Sequence, residues 1–168
     1  MTATDSAEVF AALDRLIAAS DGFAEAWGEP SAALLERLEG FAGCRLPDDF
    51  RAFLLRYGNA HVGYTPIRGL GPVGDGVPAA QALTEERRAE WPAFPPGCIA
   101  LGEVNTDLIV LRTDGAVEYR TESSRDLSVF KTFPTFTAFL RGAVDSAVDL
   151  GKEFGHLADT FDPWRSAG

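Results

Sequence analysis

Asp107-Leu108-Ile109-Val110-Leu111-Arg112-Thr113-Asp114-Gly115-Ala116-Val117-Glu118-Tyr119 is the stretch whose reading decides the fold class. Two apolar, β-branched runs, 108–111 and 116–119, flank Asp114-Gly115. Glycine accepts the positive φ that a type I′ turn requires, so the pair reads as a two-residue hairpin. A hairpin joins antiparallel strands, whereas parallel strands need a long crossover. Upstream, 99–101 is another short run, and 127–131 downstream adds a further strand. The expectation is an antiparallel meander with a central hairpin.

Around these strands the apolar period is helical. In 6–19, Val9, Phe10, Leu13, Leu16 and Ile17 share one face, and Ser20-Asp21-Gly22 ends the pattern. Pro30-Ser31 opens a second helix with Leu34, Leu35, Leu38 and Phe41 on its stripe and Glu36, Arg37 and Glu39 outside. Gly40 and Gly43 loosen its end. A third helix starts at Leu46-Pro47-Asp48-Asp49, where proline fits a first turn and aspartates suit the N-terminal dipole. Phe50, Phe53, Leu54 and Tyr57 form its apolar face, and Gly58 stops it. Residues 58–78 are rich in glycine and proline and read as loop, with a short strand at 65–68. The stretch 79–91 reads as a helix that Pro92 and Pro95-Pro96 break. Pro134 opens a long helix whose Phe136, Phe139, Leu140, Val144, Ala147 and Val148 trace one face. In the tail after Leu150, Phe154, Leu157, Phe161 and Trp164 are placed to dock back onto the body.

Helices first, then strands, then a helix is a segregated order. It predicts an α+β fold, a mainly antiparallel sheet packed against several helices, and not an alternating parallel α/β sheet. No internal repeat or long linker divides the chain, so 1–168 reads as one domain.

The 168 residues are 46% hydrophobic and 24% charged, near globular averages, which argues against global disorder. No apolar run reaches the ~18 residues of a membrane span. The N-terminus lacks the basic-then-apolar pattern of a signal peptide, so the expected location is the cytoplasm, without membrane contact. Cys44 and Cys98 lack CxxC spacing and read as reduced, packed thiols, with a disulfide between them as the alternative. The net charge is −10, and residues 1–50 carry ten acids against three arginines. Such a balance repels nucleic-acid phosphates and suits a basic protein partner, unless it serves only solubility.

Gly69-Leu70-Gly71-Pro72-Val73-Gly74 matches GxGxxG literally. A dinucleotide site needs that loop between a buried strand and a helix start. Pro72 removes a donor, and Gly76 and Pro78 interrupt any following helix, so the segment reads as a flexible surface loop. His61 and His156 have neither HxxxH spacing nor a neighbouring cysteine pair, so no zinc site is expected. His61 reads as an exposed turn residue and His156 as a helix-end cap. Neither cysteine has flanking residues that favour a Cys–His dyad. Glu103, Asp107 and Asp114 flank strand ends and could converge on a cation, though such residues are ordinarily turn formers. Phe50, Phe53, Phe133, Phe136 and Phe139 follow helical spacing and read as core, not as a stacking platform for nucleic acid. No catalytic, metal or cofactor site is expected.

Four segments occur in a telling order. Leu35-Glu36-Arg37-Leu38-Glu39 leads into Leu46-Pro47-Asp48-Asp49-Phe50-Arg51-Ala52-Phe53-Leu54; then come Ile67-Arg68-Gly69-Leu70, the hairpin 107–117, and Phe133-Pro134-Thr135-Phe136-Thr137-Ala138-Phe139-Leu140. Together they resemble the SUKH superfamily, known as immunity proteins of bacterial toxin systems and as fungal cell-wall-synthesis regulators. The first looks like the family's opening helix and its LPxdfraFL signature, the second like its short first strand. The others look like its central hairpin and closing helix start. Two departures bear on loop geometry: Gly58-Asn59 stands where Asn-Gly is usual, and Thr106 where glycine often precedes the hairpin aspartate. The resemblance spans about 31–142 and leaves out the helix 6–19 and the tail 150–168.

What the resemblance implies is a helix-covered sheet that binds partner proteins and has no catalytic machinery. The expected function is an immunity protein that neutralises a cognate toxin, such as a nuclease, whose basic surface an acidic chain can cover. Two alternatives stand beside it: a scaffold or regulatory domain of the same fold, and a small enzyme assembled from scattered carboxylates. Glu36, Glu39, Asp48 and Asp49 are the candidate partner-binding residues, because the N-terminal third concentrates the charge. Their other reading is as solvated helix faces and caps.

Overall fold

Helical spacing places Val9, Ala12, Leu13 and Leu16 on the buried side of α1 (Ala3–Ala19) in the computed structural model, which describes residues 3–28, 30–123 and 126–165. The chain leaves α1 through a tight turn at 20–23. Phe23 N–H donates to Ser20 O at 3.0 Å, with Asp21 at φ 44 and Gly22 at φ 85. Two consecutive positive φ angles make the type I′ arrangement, which Asp and Gly tolerate. The turn feeds β1 (Ala24–Trp27), which is too short to leave a period in the sequence.

α2 (Ala32–Ala42) starts where Ser31 Oγ accepts the Leu34 N–H and ends at Gly43, whose φ of 71 lets its N–H return to Glu39 O and Gly40 O. α3 (Asp48–Tyr57) follows Pro47 with two aspartates in its first turn, and it buries Phe50, Phe53, Leu54 and Tyr57.

The stretch 58–78 is more ordered than a loop. It contains β2 (Asn59–Val62), β3 (Thr65–Ile67), β4 (Pro72–Val73) and β5 (Val77–Pro78). β2 pairs antiparallel with β1 on one side and β3 on the other, while β4 and β5 form their own ladder. Strands this short are held by tertiary hydrogen bonds, and alternation over two to four residues carries no usable signal.

α4 (Ala79–Glu90) follows Pro78 and leads to the meander β6 (Ile99–Val104), β7 (Asp107–Leu111), β8 (Val117–Ser123) and β9 (Asp126–Phe133), each antiparallel to the next. The central turn differs from the expected type I′. Gly115 N–H donates to Arg112 O at 3.0 Å and Arg112 N–H to Ala116 O at 2.8 Å; Gly115 has φ 89, and Asp114 is not in the positive-φ region. This is a three-residue loop, a type I turn closed by a left-handed glycine. Asp114 Oδ1 accepts the Ala116 N–H, a local bond that favours this geometry over the two-residue one. At the register shift between Ala100 and Gly102, Leu101 O accepts the Arg68 N–H at 2.6 Å, which joins the small sheet to the meander.

α5 (Phe136–Glu153) is capped by Thr135, whose hydroxyl accepts the Ala138 N–H. One face of the meander, through Ile99, Leu101, Ile109, Leu111 and Val117, meets α3 and α5 in the main core. Phe136 lies at its centre, 4.8 Å from the Phe50 ring and 5.1 Å from Phe53. Burying each such ring contributes about 2 kcal/mol. The opposite face, through Ala100, Leu108, Val110 and Leu127, packs with Leu83 of α4 and with Phe94 and Cys98. The sheet is therefore covered on both faces, and the expected α+β class with an antiparallel sheet holds.

In the tail, Leu157 is buried and Phe161 and Trp164 pack on the main core, as the docking expectation requires. Phe154 is the exception, at 56% exposure. Trp164 Nε1 donates to Asp145 and Arg15 Nε to Pro163 O, at 2.9 and 2.6 Å, so the tail is strapped to α5 and α1. Both cysteines are free thiols. Among the described residues no helix is long and apolar enough to cross a membrane.

Candidate partner-binding surface

The four candidate carboxylates occupy two different kinds of environment. Glu36 is exposed on α2 and makes no ion pair among the described residues. Asp48, also exposed, lies 2.8 Å from Arg45, whose hydrogen bond holds its carboxyl below the ordinary range. Glu39 and Asp49 point inward. Glu39 accepts the Leu46 N–H at 2.8 Å and pairs with Arg51, and that guanidinium is the first cause of its lowered pKa. Asp49 accepts the Phe50 N–H through Oδ1, and the Thr137 N–H and hydroxyl through Oδ2. Only Glu36 and Asp48 present their carboxylates outward.

The alternative carboxylate set does not assemble. Asp107 begins β7 and Asp114 lies in the turn beyond its far end, so the strand itself, about 13 Å long at ~3.3 Å per residue, stands between them. Asp107 accepts the Thr121 hydroxyl, Asp114 pairs with Arg112, and Glu103 pairs with Arg87. No group of three His, Cys, Asp or Glu able to hold a metal ion occurs among the described residues.

The GxGxxG match is neither flexible nor a phosphate cradle. Buried Asn59 accepts the N–H groups of Gly69 and Gly71 through Oδ1, at 2.6 and 3.1 Å, and Gly58 O accepts the Leu70 N–H. Three consecutive donors are thus turned to the protein. A Cβ on Gly69 would stand 2.1 Å from Gly58 O, and one on Gly71 would stand 1.8 Å from Asn59 Nδ2. The glycines permit close approach of two backbones. Asn59 is a residue that sequence reasoning missed; its place beside Gly58, the noted departure, is the signal that was there.

His61 is not a turn residue. It sits in β2, with Nε2 3.1 Å from Gly22 O and its ring 5.4 Å from that of Trp27. His156 caps α5 through its backbone N–H, which donates to Gly151 O at 2.7 Å, and its ring stacks on Phe23.

A second buried network also escaped the sequence. Glu118, 4% exposed on the α4 side of the sheet, receives Arg112 at 3.0 Å and Arg120 at 2.6 Å. Cys98 lies within reach of these charges, and burial first of all pushes its thiol pKa up. That keeps it protonated and weakly nucleophilic.

Two clefts remain. One of about 350 Å³ is lined by Pro66, Arg68, Val73, Leu83, Arg87 and Glu103. The other, about 570 Å³, lies between α5 and the tail and includes Asp145, Asp149, Lys152, Asp159 and Asp162. Neither lining includes a histidine, cysteine or serine.

A comparison with curated proteins gave no match. The model of the SMI1/KNR4 family (SUKH-1) matches residues 29–142. That span runs from just before the Ser31 cap, through the Asp49 and Asn59 anchors and the whole meander, into α5. The match covers well over half of the sequence, and the chain belongs to the SMI1/KNR4 family (SUKH-1).

Proposed function

We propose that this chain is an immunity protein that binds a cognate bacterial toxin domain and neutralises it by protein contact. Membership of the SMI1/KNR4 family carries the reading. The charge of −10, with outward Glu36 and Asp48, supports it, because an acidic surface complements the basic substrate-binding face of a nuclease toxin. In this reading the chain acts in the cytoplasm as a single domain, by occlusion and without a cofactor. Glu36 and Asp48 are the outward members of the four candidate contacts.

The test is co-expression with the toxin domain encoded next to the gene, followed by pulldown and growth rescue. Capture and rescue are expected. Neither capture nor rescue by any neighbouring toxin overturns the reading and favours a scaffold or regulatory role of the same fold.

A further inference from the structure

At the end where β1 begins and β2 ends the small sheet carries the Phe23–Tyr64 pair, and its outer face carries Trp27 and His61. On this face Glu25 lies opposite His61, and Trp27 opposite Asn59. The Trp27 and His61 rings are 5.4 Å apart, and His61 Nε2 lies 3.1 Å from Gly22 O. The next residue, Phe23, meets Tyr64 edge-on at 5.5 Å. Trp27 is 47% exposed and Tyr64 59%. Asp21, in the turn that enters β1, and Glu25, opposite His61, are exposed, and neither makes an ion pair among the described residues.

The chain's other two tryptophans are each covered by its own arginine: Arg87 sits over Trp91 at 5.4 Å and Arg141 over Trp164 at 4.2 Å. Among the described residues no cation covers Trp27 or Tyr64. Open aromatic faces flanked by unpaired carboxylates match a guanidinium, whose plane stacks on the ring while its N–H groups reach the carboxylates. Exposed Trp and Tyr are also the residues that anchor protein interfaces. Asp21, Glu25 and Trp27 precede the matched span 29–142, so most of this surface is built from sequence outside the family's shared part.

We propose that Trp27 and Tyr64, with Asp21 and Glu25, form the docking surface for an arginine-bearing, basic face of the partner protein. This rests on the reading that the chain works by binding a protein. The test titrates the whole chain with an arginine hexapeptide and with a lysine hexapeptide, following backbone amides by NMR. Shifts are expected to concentrate at 21–27 and 61–64. The arginine peptide should bind several-fold tighter, and Trp27→Ala with Tyr64→Ala should abolish that difference. Both side chains are half exposed, so the variant keeps its fold, which circular dichroism checks; Glu25→Lys is the second variant. Shifts centred elsewhere, such as on the aspartates beside the tail, overturn the proposal, as does a double variant that binds like the wild type.

The neighbouring toxin domain separates the two readings. If wild type captures it and the double variant binds about tenfold or more weakly, both stand. Undiminished capture by the variant overturns the docking surface and leaves the immunity function. If no toxin is captured while the peptide footprint falls on 21–27 and 61–64, the surface stands and the immunity reading falls.

Discussion

Asp49 Oδ2 accepts both the N–H and the hydroxyl of Thr137, at 2.8 and 3.0 Å and 88 residues away in sequence, and so ties the start of α3 to the start of α5. Thr137 is 2% exposed, so losing the acceptor leaves its buried N–H without this partner, while its hydroxyl keeps Ser6 Oγ at 2.9 Å. Asp49→Ala should cost about 2–3 kcal/mol, and Thr137→Val, which keeps the N–H bond, about 1 kcal/mol. Urea unfolding of the two single variants and the double variant measures the coupling. Additive effects would refute the link.

Asn59 holds the glycine segment in the same way. Asn59→Ala should destabilise by about 2–4 kcal/mol, since the N–H groups of Gly69 and Gly71 lose their acceptor. Gly71→Ala should cost as much through its clash with Asn59 Nδ2. Amide hydrogen exchange at 69–71 should accelerate in both variants; unchanged protection would count against this role.

Glu118 neutralises Arg112 and Arg120 on a covered face. Removing Glu118 strands the charge of Arg120, while Arg112 keeps Asp114, so Glu118→Ala should cost about 3 kcal/mol. Glu118→Ala combined with Arg120→Leu should recover part of that loss. Thermal melting of the pair of variants decides it.

Acid should weaken the α2–α3 corner. Glu39 has its pKa lowered in the fold by the Arg51 hydrogen bond, so its contribution is fully present above its ordinary value of 4.5. It is lost as pH falls through the lower folded value. Wild type should therefore lose stability below about pH 4.5. Glu39→Gln should be weaker at neutral pH and show a flatter acid limb in denaturant titrations at pH 3 to 7.

The two thiols should differ in reactivity. Cys98 is buried with a raised pKa, while Cys44 is partly exposed at the end of α2. A thiol reagent at pH 8 should label Cys44 in the folded chain and reach Cys98 only on unfolding. Mass spectrometry of the labelled peptides reads this directly, and early labelling of Cys98 would contradict its burial.

α1 to α5 were legible because each repeats an apolar period long enough to mark its buried face, and the four-stranded meander because short apolar or β-branched runs are separated by turn residues. The caps Ser31 and Thr135 sit next to those periods and share that local logic. β1 and β2 were not legible, since four-residue strands carry no period and exist through each other's hydrogen bonds. The candidate acids were legible as an acidic segment, but composition is silent on direction. Glu36 points to solvent, whereas Glu39 and Asp49 turn toward Arg51 and Thr137.

The hairpin 107–119 shows both sides of this division. Sequence alone determined that the strands on either side of Asp114-Gly115 run antiparallel, because two apolar, β-branched runs and the turn glycine between them are local properties. Tertiary structure decided that the turn is a three-residue loop, that Glu118 faces inward to two arginines, that Trp27 meets His61 across β1 and β2, and that Tyr64 meets Phe23. Those outcomes depend on which groups approach across the fold, and the free energy of a polar or aromatic contact exists only once both partners are in place.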